Sequence, residues 1–176
     1  MEHWAIEPTV LKQYARHHKT NKAIPTELIN KILATQTFNQ GFATTEYLAA
    51  SYLDLKWHDQ TVDDQISASE IESKTTKDIN LVPEIAPRYR SSYFQHIFSG
   101  GYSAGYYAYI WAEVLETDAY EEFKKNGIFD KKTAQSFRSN ILEKGGSEKP
   151  MTLYKNFVGR EPNIEPLMKS RGLLAE

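Results

Sequence analysis

Apolar residues recur along this chain at helical spacing, and this periodicity constrains the fold more than any other feature. Two stretches show it clearly, and each opens with a proline at a position that the first turn of a helix tolerates. Their apolar positions are Leu11, Tyr14, Ala15 and His18 after Pro8, and Leu28, Ile29, Ile32 and Leu33 after Pro25. We therefore predict two short amphipathic helices, each with one buried face.

A longer apolar segment runs from Phe42 to His58, after the break at Asn39-Gln40-Gly41. Its apolar side chains are spread around most of the helical circumference, which is typical of a helix with neighbours on several sides. The segment is thus a candidate for the central helix of a bundle.

Further helices are predicted along the rest of the chain. They are a solvated helix from about Ser67 to Lys77, one that ends at Gly127, one capped by Asp130 that stops at Gly145-Gly146, and two short helices near Tyr154 and Leu167. The sequence shows neither a clear alternating strand pattern nor an internal repeat. We expect an all-α fold, a multi-helix bundle, with residues 1–176 as a single helical domain.

Composition excludes several classes of function. The 21 basic and 23 acidic side chains give a net charge of −2, which argues against a nucleic-acid binder. The chain has no cysteine, and no apolar run approaches the roughly 20 residues that span a membrane. The first residues lack the basic and apolar regions of a signal peptide. We expect a cytoplasmic protein that binds neither nucleic acid nor membrane.

Self-contained catalytic motifs are missing from the sequence. No two of the five histidines have the i, i+4 spacing of an H-E-x-x-H zinc helix. The glycine-containing segments fit neither a serine nucleophile elbow nor a phosphate-binding loop. The histidines are His3, His17, His18, His58 and His96. We therefore expect no metal to be bound by this chain alone.

The segment from Tyr93 to Trp111 is the most distinctive, because eight of its 19 residues are aromatic. If a helix begins just after Gly101, Tyr106 and Tyr109 fall about 40° and 20° to either side of Tyr102 around its axis, so that the three phenols share one face. Gly100 and Gly101 would let the backbone turn tightly and bring His96 to the same place. These side chains are suited to donating hydrogen bonds to an oxyanion or a peptide carbonyl. The alternative is that the tyrosines and His96 are ordinary core residues.

Two arginines precede the aromatic segment. Arg88 and Arg90 are candidates for a bidentate clamp on a carboxylate. The alternative is that each is a surface side chain whose stem packs on an aromatic ring.

The residues from Arg88 to Trp111 resemble the C-terminal signature of the thimet oligopeptidase family of zinc metallopeptidases. The pattern is H-I-F-x-G-G-Y-x-A-G-Y-Y-x-Y-x-W, beginning at His96, and the run is long and specific. Within that family the chain resembles the peptidyl-dipeptidases, also called dipeptidyl carboxypeptidases. Further matching blocks are Glu2-His3-Trp4, residues 38–42, Gly159-Arg160-Glu161-Pro162 and Arg171-Gly172-Leu173.

The resemblance implies a zinc peptidase that releases dipeptides from the C-termini of oligopeptides. It assigns His96 and either Tyr106 or Tyr109 as donors to the tetrahedral oxyanion, and Tyr102 on the Gly100-Gly101 loop as a clamp on the substrate backbone. The family's zinc ligands and general base would precede Met1, so we expect a C-terminal fragment that is inactive without the N-terminal portion of the enzyme. The alternative is a free-standing α-helical interaction module.

Overall fold

The computed structural model describes residues 2–61 and 65–174. The chain is 62% helical, and its extended structure amounts to one isolated antiparallel bridge between Arg16 and Ala23 within the described residues. The all-α prediction is therefore confirmed. The acidic residues Asp63 and Asp64, between two of the predicted helices, lie outside the described residues.

The helices follow one another with short connections. In chain order they are α1 (Glu2–Ile6), α2 (Pro8–Tyr14), α3 (Thr26–Thr35), α4 (Gln40–His58), α5 (Ala68–Asp78), α6 (Gln95–Phe98), α7 (Ala108–Asn126), α8 (Lys131–Phe137), α9 (Pro150–Val158) and α10 (Glu165–Ser170). A 3₁₀ turn covers Ser91–Tyr93, and a π-helical turn covers Arg138–Leu142 directly after α8.

Local capping chemistry explains many of these boundaries. Ser67 forms a capping box at the start of α5: its Oγ accepts from Glu70 N, and the Glu70 carboxylate accepts from Ser67 N. Asp130 accepts from Thr133 N at 2.7 Å at the start of α8. Gly127, with φ of 110°, follows the last residue of α7. These starts and stops are the predicted ones.

The helices group into two compact units, and the single-domain organisation stays a prediction. One unit takes in Met1–Phe38 and Glu113–Glu176, and the other takes in Asn39–Ala112.

The unit Asn39–Ala112 is built on α4, which carries much of its core. The buried cluster comprises Tyr47, Ala50, Leu53, Ile71, Phe94, Ile97 and Tyr106. The prediction that α4 is covered on most sides is wrong: Leu48, Tyr52 and Leu55 are exposed. Counting apolar residues around a helix does not tell how many neighbours the fold supplies.

The other unit is organised around residues 113–126 of α7. Trp4 fixes α1 there, since its Nε1–H donates to Ile128 O at 2.8 Å and its ring packs against Tyr120 and Phe123. The observed buried face of α3 is narrower than the predicted one, because Ile29 is buried whereas Leu28 is 47% exposed.

A fully buried carboxylate, that of Asp118, anchors the C-terminal segment in this unit. It accepts from the Tyr154 hydroxyl at 2.5 Å, from two Arg160 nitrogens at 2.6 and 2.7 Å, and from Asn163 N at 2.8 Å. A buried charge with this many donors is held ionised and fixes the chain that supplies them.

No helix within residues 2–61 and 65–174 combines the length and the apolar character needed to cross a membrane.

Candidate functional site

The predicted site residues lie in the unit Asn39–Ala112. Arg88 and Arg90 precede the 3₁₀ turn, and the others lie on α6, on the first turn of α7 and on the loop between them. We call residues 99–107 the tyrosine loop. The predicted helix start after Gly101 is wrong, because α7 begins at Ala108. Tyr102 therefore lies on irregular chain, Tyr106 lies on a turn, and Tyr109 lies on the first turn of α7.

Two glycines allow the tyrosine loop to fold back onto α6. A Cβ on Gly100 would lie 2.8 Å from both Cα and O of His96, so this position admits no side chain without a backbone shift. Gly101 has φ of 82°, which glycine adopts without strain. The fold-back is fixed by Gly100 N donating to Gln95 O at 2.9 Å and Tyr102 N donating to His96 O at 3.0 Å.

The loop nevertheless brings the predicted side chains together. The Tyr102 and Tyr109 rings are stacked, with centroids 5.1 Å apart, and the Tyr106 ring lies 5.3 Å from that of Tyr109. The His96 ring lies 5.7 Å from Tyr106, 6.2 Å from Tyr102 and 6.4 Å from Tyr109. We call these four residues the aromatic cluster.

The three tyrosines differ in their access to solvent. Tyr102 is 36% exposed and Tyr109 40% exposed, whereas Tyr106 is 3% exposed and belongs to the core. Burial raises the pKa of Tyr106 to about 12, partly offset by the positive charge of Arg88. A hydrogen bond between the hydroxyls of Tyr102 and Tyr109 raises the pKa of Tyr109. Tyr106 and Tyr109 therefore stay protonated at neutral pH.

His96 is held by ring packing. Its Nδ1 is buried and has no hydrogen-bond partner in the part of the chain that the structure describes. Tyr89 packs on the ring with centroids 4.8 Å apart. A buried polar atom without a partner calls for an explanation, and a role in a functional site is one of the recurring ones.

The two predicted arginines are in different situations. Arg90 Nε donates to Glu72 Oε2 at 2.6 Å, and Ser91 N donates to Glu72 Oε1 at 2.6 Å. Burial alone would raise the pKa of Glu72, but hydrogen bonds from Ser91 and Arg90 outweigh it and lower this pKa. Arg88 is exposed, and its charge acts on Tyr106. The structure thus ties Arg90 to Glu72, whereas the charge of Arg88 acts on Tyr106 of the aromatic cluster.

Comparison with known proteins shows the family. The sequence model of peptidase family M3 matches residues 1–173. This chain belongs to peptidase family M3. It is 42% identical over 175 residues to the dipeptidyl carboxypeptidase of Salmonella typhimurium, and 38% identical over 175 residues to the oligopeptidase A of the same organism, each match covering 98% of this chain and 26% of the relative.

A plant relative matches over a similar span. The probable cytosolic oligopeptidase A of Arabidopsis thaliana is 36% identical over 180 residues, covering 99% of this chain and 26% of the relative. The chain thus spans about a quarter of the length of the curated relatives it matches. The resemblance found in the sequence is confirmed.

Peptidases of family M3 are in general zinc metallopeptidases. Within residues 2–61 and 65–174 of this M3 chain, no three histidine, aspartate or glutamate side chains are grouped so that they could hold a metal ion. The described residues therefore do not fit a zinc ligand set. The candidate site in the described residues is therefore the aromatic cluster.

Sequence reasoning missed the groups that shape the tyrosine loop of this M3 chain. Both oxygens of Asp54, which is fully buried, accept from loop amides, and the Tyr47 hydroxyl donates to Tyr106 O at 2.6 Å. One signal was present: Tyr47 and Asp54 are seven residues apart on α4, so they share a helix face, and an acid on a buried face needs donors.

Proposed function

We propose that this chain is a substrate-binding part of a zinc metallopeptidase that releases dipeptides from the C-termini of oligopeptides. The observation that carries the proposal is the Tyr102–Tyr109 pair, two partly exposed stacked phenols beside His96 in a chain of family M3. The proposal assigns zinc and its ligands to polypeptide outside these 176 residues, because their sequence has no H-E-x-x-H motif. The isolated chain is then inactive, and its partners are the oligopeptide and the remainder of the enzyme.

Tyr109 is the proposed hydrogen-bond donor to the oxygen of the scissile carbonyl. A phenol keeps its hydroxyl proton at neutral pH, and the partly exposed ring of Tyr109 can meet a substrate. A donor placed where negative charge develops stabilises the transition state. Tyr106 was an equal candidate from the sequence, but its 3% exposure favours Tyr109 for direct contact.

His96 is the proposed second donor, through Nε2. A neutral imidazole carries one N–H, and a proton on Nδ1 would be a buried donor without an acceptor. Placing the proton on Nε2 avoids that cost and leaves Nε2 able to donate. Tyr102, on the tyrosine loop and stacked on Tyr109, is the proposed clamp on the substrate backbone.

Arg88 is the proposed recognition group for the terminal carboxylate of the substrate. Dipeptide release requires the enzyme to recognise a free C-terminus, and a guanidinium binds a carboxylate with two parallel hydrogen bonds. Arg90 is less suited to this task, since its guanidinium already pairs with Glu72. The identity to dipeptidyl carboxypeptidase supports dipeptide release, and the matches to oligopeptidase A define the competing specificity, cleavage within peptides.

The first test is the nucleotide sequence upstream of the Met1 codon. The proposal expects an open reading frame that continues upstream and encodes H-E-x-x-H; we call its product the full-length peptidase. It should act in the cytoplasm, as the name of the Arabidopsis relative suggests for that protein. A reading frame that starts at Met1 would contradict the proposal and favour a free-standing α-helical interaction module.

The second test measures products and specificity. The full-length peptidase should release dipeptides from a peptide with a free C-terminus, seen by mass spectrometry, and act poorly on the C-terminal amide. Arg88→Ala should raise KM for the free acid by about tenfold and leave KM for the amide unchanged. Lys77→Ala, which removes an exposed cation at the end of α5, is the matched control and should change neither. Internal cleavage of both peptides at equal rates would contradict the assigned specificity.

A further inference from the structure

A stripe of polar side chains on α4 faces the tyrosine loop, and its central member is Asp54. This carboxylate is fully buried, with Oδ1 accepting from Ala104 N at 2.9 Å and Oδ2 accepting from Tyr106 N at 2.8 Å. One side chain thus holds two amides that are two residues apart. We propose that Asp54 is a positioning residue, which fixes the tyrosine loop in the conformation that presents Tyr102 and Tyr109 to the substrate.

The backbone conformation of the tyrosine loop shows why the loop needs a contact that fixes it. Ala104 has φ of 53°, in the left-handed region that a residue with a Cβ rarely adopts. A strained residue of this kind persists only where its surroundings fix it. The hydrogen bond from Ala104 N to a buried carboxylate is such a fixing contact, since a charged acceptor binds an amide more strongly than a carbonyl does.

The next residue along the loop to be held is Tyr106, and α4 binds it from both sides. Its N–H donates to Asp54 Oδ2, and its C=O accepts from the Tyr47 hydroxyl at 2.6 Å. The same hydroxyl accepts from Ile110 N at 3.2 Å. The backbone between Tyr102 and Tyr109 is therefore fixed to one helix face at three points.

The third member of the stripe is His58, one helical turn after Asp54. Its Nδ1 lies 2.9 Å from Asp54 Oδ1 and 3.3 Å from Ala104 N. Tyr47, Asp54 and His58 are separated by seven and four residues, a spacing that places all three on one face of α4. Two loop amides thus converge on the buried carboxylate of Asp54, and a single face of α4 carries all three side chains that contact the loop.

This role rests on the proposed function, because the loop matters to catalysis only if Tyr102 and Tyr109 meet a substrate. The holding of the loop itself is a property of the 176-residue chain and can be measured without activity. Hydrogen exchange followed by NMR reports the opening of each amide separately.

The decisive variant is Asp54→Asn, which keeps the shape of the side chain and turns one acceptor into a donor that faces an amide. We expect exchange at Ala104 and Tyr106 to accelerate at least about tenfold while the amides of α5 keep their rates. Unchanged exchange at both loop amides would overturn the proposal. Equal acceleration throughout residues 39–112 would also overturn it, because Asp54 would then support the fold without selecting the loop.

Two further variants keep the test decisive. Tyr47→Phe removes one hydroxyl and leaves the buried charge of Asp54 in place. It should accelerate hydrogen exchange at the Ile110 amide and leave the exchange rates of the α5 amides unchanged. An unchanged rate at Ile110 would contradict the proposed role of the α4 stripe. Asp78→Asn makes the same chemical change at an exposed carboxylate of the same unit, one that pairs with Lys56, so it is the matched control and should leave the exchange of Ala104 and Tyr106 unchanged.

Kinetics of the full-length peptidase separate this inference from the proposed function. Asp54→Asn should lower kcat by about 10²-fold, the effect of slightly misplaced groups in a site, and the exposed control Asp78→Asn should leave kcat unchanged. An inactive wild-type enzyme would refute the proposed function while the exchange data still decide the role of Asp54. Faster loop exchange with an unchanged kcat would overturn the positioning role.

Discussion

Replacing Asp118 by asparagine should markedly destabilise the unit that contains it. The carboxylate is fully buried and receives four hydrogen bonds, two of them from Arg160, whose side chain is 45% exposed. An asparagine at this place keeps one acceptor oxygen, which serves about two of the donors. Its amide group would instead point a donor at the Arg160 guanidinium.

The size of the effect follows from the number of hydrogen bonds that the substitution removes. Hydrogen bonds to a charged group contribute about 1.5–3 kcal/mol each, so the removal of two amounts to about 3–6 kcal/mol. Because nearly half of the Arg160 side chain is in water, which replaces part of the missing interaction, we expect the lower end, about 3 kcal/mol. For a chain of this size that corresponds to a fall in Tm of about 6–12 °C.

The dependence on pH provides a second signature. Burial alone would raise the pKa of Asp118, but hydrogen bonds from Arg160, Tyr154 and Asn163 outweigh it and lower this pKa. A carboxyl group with a lowered pKa stabilises the fold above its unfolded value of about 3.9 and loses that contribution as the pH falls through the folded value. The difference in stability between wild type and Asp118→Asn should therefore shrink below about pH 4.

Urea denaturation followed by circular dichroism measures both effects in the 176-residue chain. The matched control is Glu27→Gln, which breaks the exposed pair with Lys31 and should change stability by less than about 0.5 kcal/mol. If Asp118→Asn changed stability no more than Glu27→Gln does, the reasoning about buried hydrogen-bonded charge would be refuted.

Four further outcomes are expected. Gly100→Ala should destabilise the chain by about 1–3 kcal/mol in urea, because its Cβ would meet the His96 backbone at 2.8 Å. Ala104→Gly should stabilise it by about 0.5 kcal/mol in the same assay, as relief of left-handed strain slightly exceeds the entropy cost of glycine. The urea midpoint should fall between about pH 10 and 12, where a raised tyrosine pKa withdraws stability, and Tyr106→Phe should reduce that fall. The isolated chain should bind no stoichiometric zinc in competition with a colorimetric chelator, and tight binding would contradict the ligand assignment.

Most helices could be predicted because their boundaries depend on nearby residues. Pro8 and Pro25 mark two helix starts, Asp130 caps a third, and Gly127 follows the end of α7. Each of these signals acts within about one turn of the helix that it delimits. These helix boundaries can therefore be predicted from the sequence alone.

The tyrosine loop could not be predicted, because distant groups decide it. Asp54 and Tyr47 bind loop amides and a loop carbonyl across 50 to 59 residues of sequence, and their contacts replace the helical hydrogen bonds that a helix from Gly101 would have made. The tyrosines still converge, with Tyr102 stacked on Tyr109. The four rings are therefore close together although the predicted local structure was wrong, and the roles of the four residues stay a prediction.

Exposure is the other quantity that the sequence did not settle. Helical spacing alone did not distinguish Tyr106 from Tyr109 as the candidate hydrogen-bond donor. The fold buries Tyr106 and leaves Tyr109 40% exposed. On α4, Tyr52 and Leu55 belong to an apolar pattern yet face solvent. Such differences arise from how elements pack, which local periodicity does not encode.

The role of Tyr109 is tested most directly by the kcat of the full-length peptidase after Tyr109→Phe, a change that removes one hydroxyl and keeps the ring. The neighbouring Tyr107, 51% exposed, offers the matched control Tyr107→Phe. We expect kcat to fall by about 10²–10³-fold for Tyr109→Phe and to stay unchanged for Tyr107→Phe. Equal turnover by the two variants would contradict the assignment of Tyr109 as a hydrogen-bond donor in catalysis.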